Sequence, residues 1–174
     1  MTFDQDNSRC QIFTFKEGLL SKVAHDLQLK VNRYEVAWAD GTVTATFDPK
    51  SISVVHAMKR GRGNPRALSS GDKEKILENM YRDVFSTAQH PEIRFSSDSI
   101  RESGDRIEVN GMLELQGVRR TVRTTAAREG HEWVFTVPIY QPDFGIKPFS
   151  ALMGAIKIKP SLTVKFSFAA NQEA

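Results

Sequence analysis

Ile107-Glu-Val-Asn-Gly-Met-Leu-Glu-Leu-Gln-Gly-Val118 is the stretch that decides the fold. Ile107, Val109, Gly111, Leu113 and Leu115 alternate with Glu108, Asn110, Met112 and Glu114. A period of two marks a strand with one buried face, because successive side chains leave a pleated strand on opposite sides. Gln116-Gly117 then reads as a turn. The same alternation recurs on both sides of this stretch. Upstream, Phe13 and Phe15 alternate with Ile12, Thr14 and Lys16, and Leu27, Leu29 and Val31 with Gln28, Lys30 and Asn32. Val43, Ala45 and Phe47 continue the pattern, Ile52 and Val54 share a face with His56 and Met58, and Ile93 and Phe95 follow. Downstream come Trp133, Phe135, Val137 and Ile139, then Leu162, Val164, Phe166 and Phe168. Asp40-Gly41 reads as a tight hairpin turn, and Asp48-Pro49 and Ser103-Gly104-Asp105 as looser turns. Short turns between such runs imply an all-β, antiparallel barrel of about eight strands, closed to remove its exposed edges.

One segment has a different period. Across residues 72–85, Ile76, Leu77, Met80, Tyr81 and Val84 form one helical stripe. Ser70 or Asp72 is placed to cap its start, with Glu74 in the first turn. This helix is expected to cover one end of the sheet. A second, short helix is expected near residues 150–155, after Pro148.

The chain has 174 residues, 40% hydrophobic and 26% charged. That suits one globular domain, here residues 1–174 with a core at about 11–169, and it excludes disordered and collagen-like chains. The longest apolar run, residues 151–156, is far short of the roughly 20 residues of a membrane-spanning helix. A net charge of +3 is too mild to imply nucleic-acid binding. The single cysteine, Cys10, excludes an intrachain disulfide. The opening Met1-Thr-Phe-Asp-Gln-Asp has no basic or apolar leader segment, which sets the expectation of a cytoplasmic protein.

No nucleophile motif, phosphate loop or metal-ligand spacing is present, so no catalytic residue, cofactor or metal is expected. His25 and Asp26 are neighbours on a strand and should point apart, with His25 inward beside Leu27 and Leu29 and Asp26 outward or bonded to backbone. His56 is likewise read as inward. Two histidines alone are a weak metal site. Lys59, Arg60, Arg62 and Arg66 form one basic loop, and Arg119, Arg120 and Arg123 a second cluster at an expected hairpin. These are solvated loops, or they meet a phosphate, an acidic lipid headgroup or a membrane surface. Exposed aromatics for stacking on bases are missing from them.

Three stretches together resemble the YceI-like family. The first is Phe13-Thr-Phe-Lys-Glu-Gly-Leu-Leu-Ser-Lys-Val-Ala-His25-Asp-Leu, similar to the family's opening strand and Gly-x-x-Ser turn. The second runs from Asn79-Met-Tyr-Arg-Asp-Val-Phe through His90-Pro-Glu-Ile-Arg-Phe95-Ser-Ser, similar to its helix followed by a Pro-x-x-x-Phe-x-Ser strand. The third is Val109-Asn-Gly-Met-Leu-Glu-Leu-Gln-Gly-Val118, and Asp143-Phe-Gly-Ile and Met153-Gly fit the family's last third. Glu17 stands where many members carry a histidine, and many members are exported. The resemblance implies a lipocalin-like barrel, often dimeric, that holds a long apolar ligand such as a polyisoprenoid or a fatty-acid derivative.

The expected function is therefore non-catalytic carriage or sequestration of such a lipid. The expected tunnel is lined by Leu27, Leu29, Phe95, Leu113, Phe135 and Phe166, gated at one end by Phe144, Ile146 and Met153. His25 and His56 form its polar end. Transient contact with a membrane surface and a homodimer are further expectations; nucleic acid is not. Two alternatives stand beside this reading: an enzyme using His25 and His56 on a lipid-like substrate, and a solid barrel that serves as an interaction protein.

Overall fold

The computed structural model describes residues 1–17 and 24–170. The expected turn beginning at Gly18 lies outside the described residues. Among the described residues there are fourteen strands and one α-helix. The first seven strands are β1 (Thr2–Phe3), β2 (Ser8–Thr14), β3 (Asp26–Val31), β4 (Tyr34–Ala39), β5 (Thr42–Phe47), β6 (Ile52–Lys59) and β7 (Arg62–Asn64). Helix α1 (Ser70–Asp83) follows, then β8 (Ile93–Ser103), β9 (Arg106–Leu115), β10 (Val118–Glu129) and β11 (Glu132–Tyr140). The chain ends with a small ribbon, β12 (Ser150–Ala151) and β13 (Ile156–Lys157), and the long β14 (Ser161–Ala169).

Twelve strands make one antiparallel sheet in the order β1-β4-β5-β8-β9-β10-β11-β14-β2-β3-β6-β7. Its edges are two of its shortest members, β1 and β7, and short edges resist pairing with other chains. The sheet curls until Phe3 of β1 stacks against Phe168 of β14, with ring centroids 4.4 Å apart. Side-chain packing thus ties one edge of the sheet to its interior strand β14. Asp40-Gly41 and Gln116-Gly117 both take positive φ at the two central residues, the turn that matches the twist of a hairpin.

Twelve strands replace the eight expected. β10 was hidden because Arg119, Arg120 and Arg123 dilute its alternation. These arginines lie exposed on the β9–β10 hairpin, as expected, but within a strand, with Arg119 paired to Glu114 and Arg123 bonded to Asn110. β1 and β7 are too short to show a period.

Gly111 has a packing reason. A Cβ there would lie 2.4 Å from the Ser96 carbonyl oxygen and 2.6 Å from the Phe95 ring. Its absence lets that ring lie across β9.

Helix α1 begins at a capping box: the Ser69 hydroxyl accepts from the Asp72 amide, and the Asp72 carboxylate accepts from the Ser69 amide. Its stripe, Ile76, Leu77 and Met80, packs on the main core. The Tyr81 hydroxyl donates to the carbonyls of Pro49 and Ile52, and the Lys73 Nζ donates to that of Val55. The helix is thereby bolted to β6 and its approach. The expected second helix is instead one 3-10 turn, Leu152–Gly154, at the tip of the β12–β13 ribbon. Among the described residues no helix is long and apolar enough to cross a membrane.

Candidate ligand cavity

Pairing across the sheet sets one row of side chains inward on every long strand. Cys10, Ile12 and Thr14 of β2 face Val31, Leu29 and Leu27 of β3. Leu113 of β9 pairs with Phe95 of β8, which pairs with Ala45 of β5. Phe135 of β11 pairs with Phe166 of β14. These rows do not meet in the middle. They enclose a cavity of about 610 Å³, within the range of small-molecule sites.

Eight of the residues expected at the site line this cavity: His25, Leu27, Leu29, Phe95, Leu113, Phe135, Ile146 and Phe166. Three do not. His56 is turned outward by a bulge. Gln28 pairs with His56 but the next residue, Leu29, pairs with Val54, so Val55 is extra. The extra residue reverses the parity after it, and Ala57 rather than His56 is buried. The His56 ring lies over Gly63 of β7, where a Cβ would sit 2.5 Å from its Nε2. Phe144 is buried beneath the 3-10 turn Gln141–Phe144, in a second cluster with Leu115, Ile139 and Ile146, and does not reach the cavity. Met153 is wholly exposed at the ribbon tip and does not line the cavity.

The pairing of β2 with β3 settles which of its faces is inward. Phe13 and Phe15 lie on the outer parity, and Ile12 and Thr14 line the cavity. The helix is expected to cover one end of the sheet, but none of its residues is among those expected at the site. Asp72, Lys75, Ile76, Asn79 and Met80, at helical spacing, all face the cavity. The signal was available: an apolar stripe interrupted by polar residues on the same face suits a lid over a ligand better than a buried helix. Asp26 behaves as read. Its carboxylate accepts from the Lys16 amide at 2.8 Å, while His25 faces in.

The polar groups gather towards one side. Thr14 pairs with Leu27, and His25 precedes Leu27 by two residues on the same face. The Thr14 hydroxyl is buried with no hydrogen-bond partner among the described residues. Leaving a hydroxyl unpaired typically costs about 1–3 kcal/mol, which a ligand group could recover. Bonds from the Ser69 hydroxyl and amide hold the Asp72 carboxyl below its usual range, with His25 and Lys75 adding to the effect. Burial works against ionising Asp48, but the Arg33 guanidinium and the Lys50 amide outweigh it and its carboxyl also titrates low. The Gln141 side-chain amide donates to the Lys159 and Pro160 carbonyls, at 3.1 Å and 3.2 Å. Deeper in, burial pushes the Cys10 thiol up to about 12, which makes it a neutral part of the wall. The cavity is thus apolar along its length and polar beside His25 and α1. Among the described residues no cluster of three His, Cys, Asp or Glu could hold a metal ion. With His56 outside, the two histidines cannot act as a pair.

The YceI-like domain matches residues 1–170, nearly the whole chain. The protein belongs to the YceI-like family. The YceI protein of Salmonella newport is 25% identical over 109 residues, which are 60% of this chain and 56% of that protein. The YceI protein of Escherichia coli O157:H7 is 25% identical over 105 residues, 58% of this chain and 54% of that protein. The matched region therefore spans about half the length of these relatives. Among solved structures, BcnA of Burkholderia cenocepacia superposes with a TM-score of 0.61 at 19% identity, covering 97% of this chain and 99% of that one. A polyisoprenoid-binding domain from Saccharophagus degradans, implicated in plant cell wall breakdown, gives 0.59 at 11% identity, covering 97% of each. At these identities the likeness is one of fold, and it places the chain among YceI-like barrels.

Proposed function

We propose that this YceI-like barrel binds one long-chain amphipathic lipid in its interior and carries or sequesters it without changing it chemically. The ligand class is a polyisoprenoid, quinone-like or prenyl phosphate, or a fatty-acid derivative. The observation that carries the reading is the 610 Å³ cavity walled by apolar side chains. A chain entering it gains roughly 0.8 kcal/mol per buried CH₂, so length alone supplies affinity. The polyisoprenoid-binding relative of like fold supports the same class. His25, the Thr14 hydroxyl and the polar face of α1 are the groups for the ligand's head. A few such groups in an apolar pocket fix orientation.

Native mass spectrometry of the protein purified from cells tests this. The expected result is one hydrophobic adduct per barrel, recovered by solvent extraction. A spectrum of bare protein, together with no uptake of added polyprenol or fatty acid, would overturn the reading. A cavity of this size argues against a solid barrel. The outward position of His56 argues against an enzyme built on the two histidines.

A further inference from the structure

We propose that the end of the barrel carrying the β12–β13 ribbon docks onto an anionic lipid bilayer, with Leu152 and Met153 inserted among the lipids. Two observations point there independently.

The first is the ribbon tip. Leu152 is 69% exposed and Met153 fully so, the two most exposed large apolar side chains among the described residues. Both take positive φ, 51° and 55°. Residues with a Cβ adopt this left-handed backbone at a cost, and such strain concentrates where function requires it. Here it holds two apolar side chains out in solvent. The base of the ribbon does the opposite: Phe149, Ile156 and Ile158 line the cavity. Ala151 beside Leu152 pairs with Ile156, so an apolar path runs from the tip to the interior.

The second is charge. Residues 144–171 contain no Asp or Glu, yet they include Lys147, Lys157 and Lys159 around the ribbon. Residues 49–71 contain none either, and there the β6–β7 hairpin carries Lys59, Arg60 and Arg62. None of these six cations is in an ion pair with a described residue. The two segments share one end of the barrel. Ile158 bridges to Lys16, the Lys16 amide bonds to Asp26, Asp26 pairs with Met58, and Met58 pairs with Gly63. The acidic groups beside that row are Asp26, the neighbouring Glu17, Asp72 near His25, and Asp143 near the Gln141–Lys159 bond, fewer than the six cations. Apolar residues projecting from a ring of cations fit an anionic membrane surface, where basic residues and inserted side chains reinforce each other.

Docking does not require the cavity to be filled. Only the further step, passage of a lipid along the ribbon, rests on the function proposed above. The test is flotation with vesicles of phosphatidylcholine alone or mixed with phosphatidylglycerol. The wild type should float with the mixed vesicles, less so at high salt, and not with phosphatidylcholine alone. Leu152→Asp with Met153→Asp, and separately Lys157→Glu with Lys159→Glu, should each weaken flotation by about tenfold or more. Uptake of a polyprenol presented in dilute detergent should be unchanged in both variants. Equal flotation with neutral vesicles, no flotation, or variants that float like the wild type would overturn docking. Light scattering covers the rival occupant: a dimer that the Leu152/Met153 variant dissociates would mean that the tip meets a second copy of this chain. Salt-sensitive flotation that both variants weaken, with no lipid uptake by any form, would leave docking standing and remove the cavity function instead.

Discussion

At the scale of single residues, the interior is defined by what each strand hides. His25 is the histidine that faces the ligand space, so His25→Phe keeps the ring's bulk and removes its hydrogen bonds. Affinity for a lipid with a polar head should fall by on the order of 1–3 kcal/mol, while affinity for a plain hydrocarbon chain holds. His56→Phe is the control and should change neither, measured by titration of both ligands against both variants. Cys10 makes a separate test. Its folded value lies near 12 against 9.0 when unperturbed, so the native state retains a proton that the unfolded chain releases. The resulting stability is fully present below about pH 9 and is lost as pH rises towards 12, at roughly 1.4 kcal/mol per pH unit. Denaturation midpoints followed with pH should therefore fall more steeply in the wild type than in Cys10→Ala. A thiol reagent should leave native Cys10 untouched and react after unfolding. Burial raises Tyr34 and Tyr81 as well, and the comparison with Cys10→Ala separates the thiol from them.

At the scale of elements, legibility followed the strength of the period. β9 was plain because its inner row is apolar throughout, and it pairs as that row requires. β3, β5, β11 and β14 were plain for the same reason. α1 was legible from its stripe, with its cap a residue earlier than expected, at Ser69. β2 carries apolar residues on both faces, so alternation alone could not choose between Phe13 and Ile12; the pairing with β3 chose. The site was lost where local pattern is silent. A one-residue bulge at Val55 leaves no mark in composition, yet it moved His56 from the inner face to the outer one. Two elements offer direct tests. Ser69→Ala removes the hydroxyl that accepts from the Asp72 amide and donates to its carboxylate, and should cost about 1 kcal/mol by denaturant titration. Gly111→Ala should cost more than an ordinary strand substitution, because the new methyl meets the rigid Ser96 carbonyl as well as the Phe95 ring.

At the scale of the whole molecule, the sheet encloses a volume that its own side chains leave open. Filling that volume from within should separate folding from function. Val164 is half-buried on the cavity wall, and Val164→Trp should keep the barrel's circular dichroism while abolishing lipid uptake. In the wild type, lipid at a hundred times its Kd should add about 2.7 kcal/mol of stability, seen as a higher Tm; Val164→Trp should show no such rise. The strand order has a consequence for how the molecule comes into being. β14, after every other strand in the chain, lies in the interior of the sheet between β11 and β2. On the ribosome, β11 and β2 each wait with an unpaired edge until residues 161–169 emerge. No shorter nascent chain completes the sheet around the interior, so the cavity exists only after synthesis has passed that point, and the growing chain must be shielded from strand-to-strand association until then.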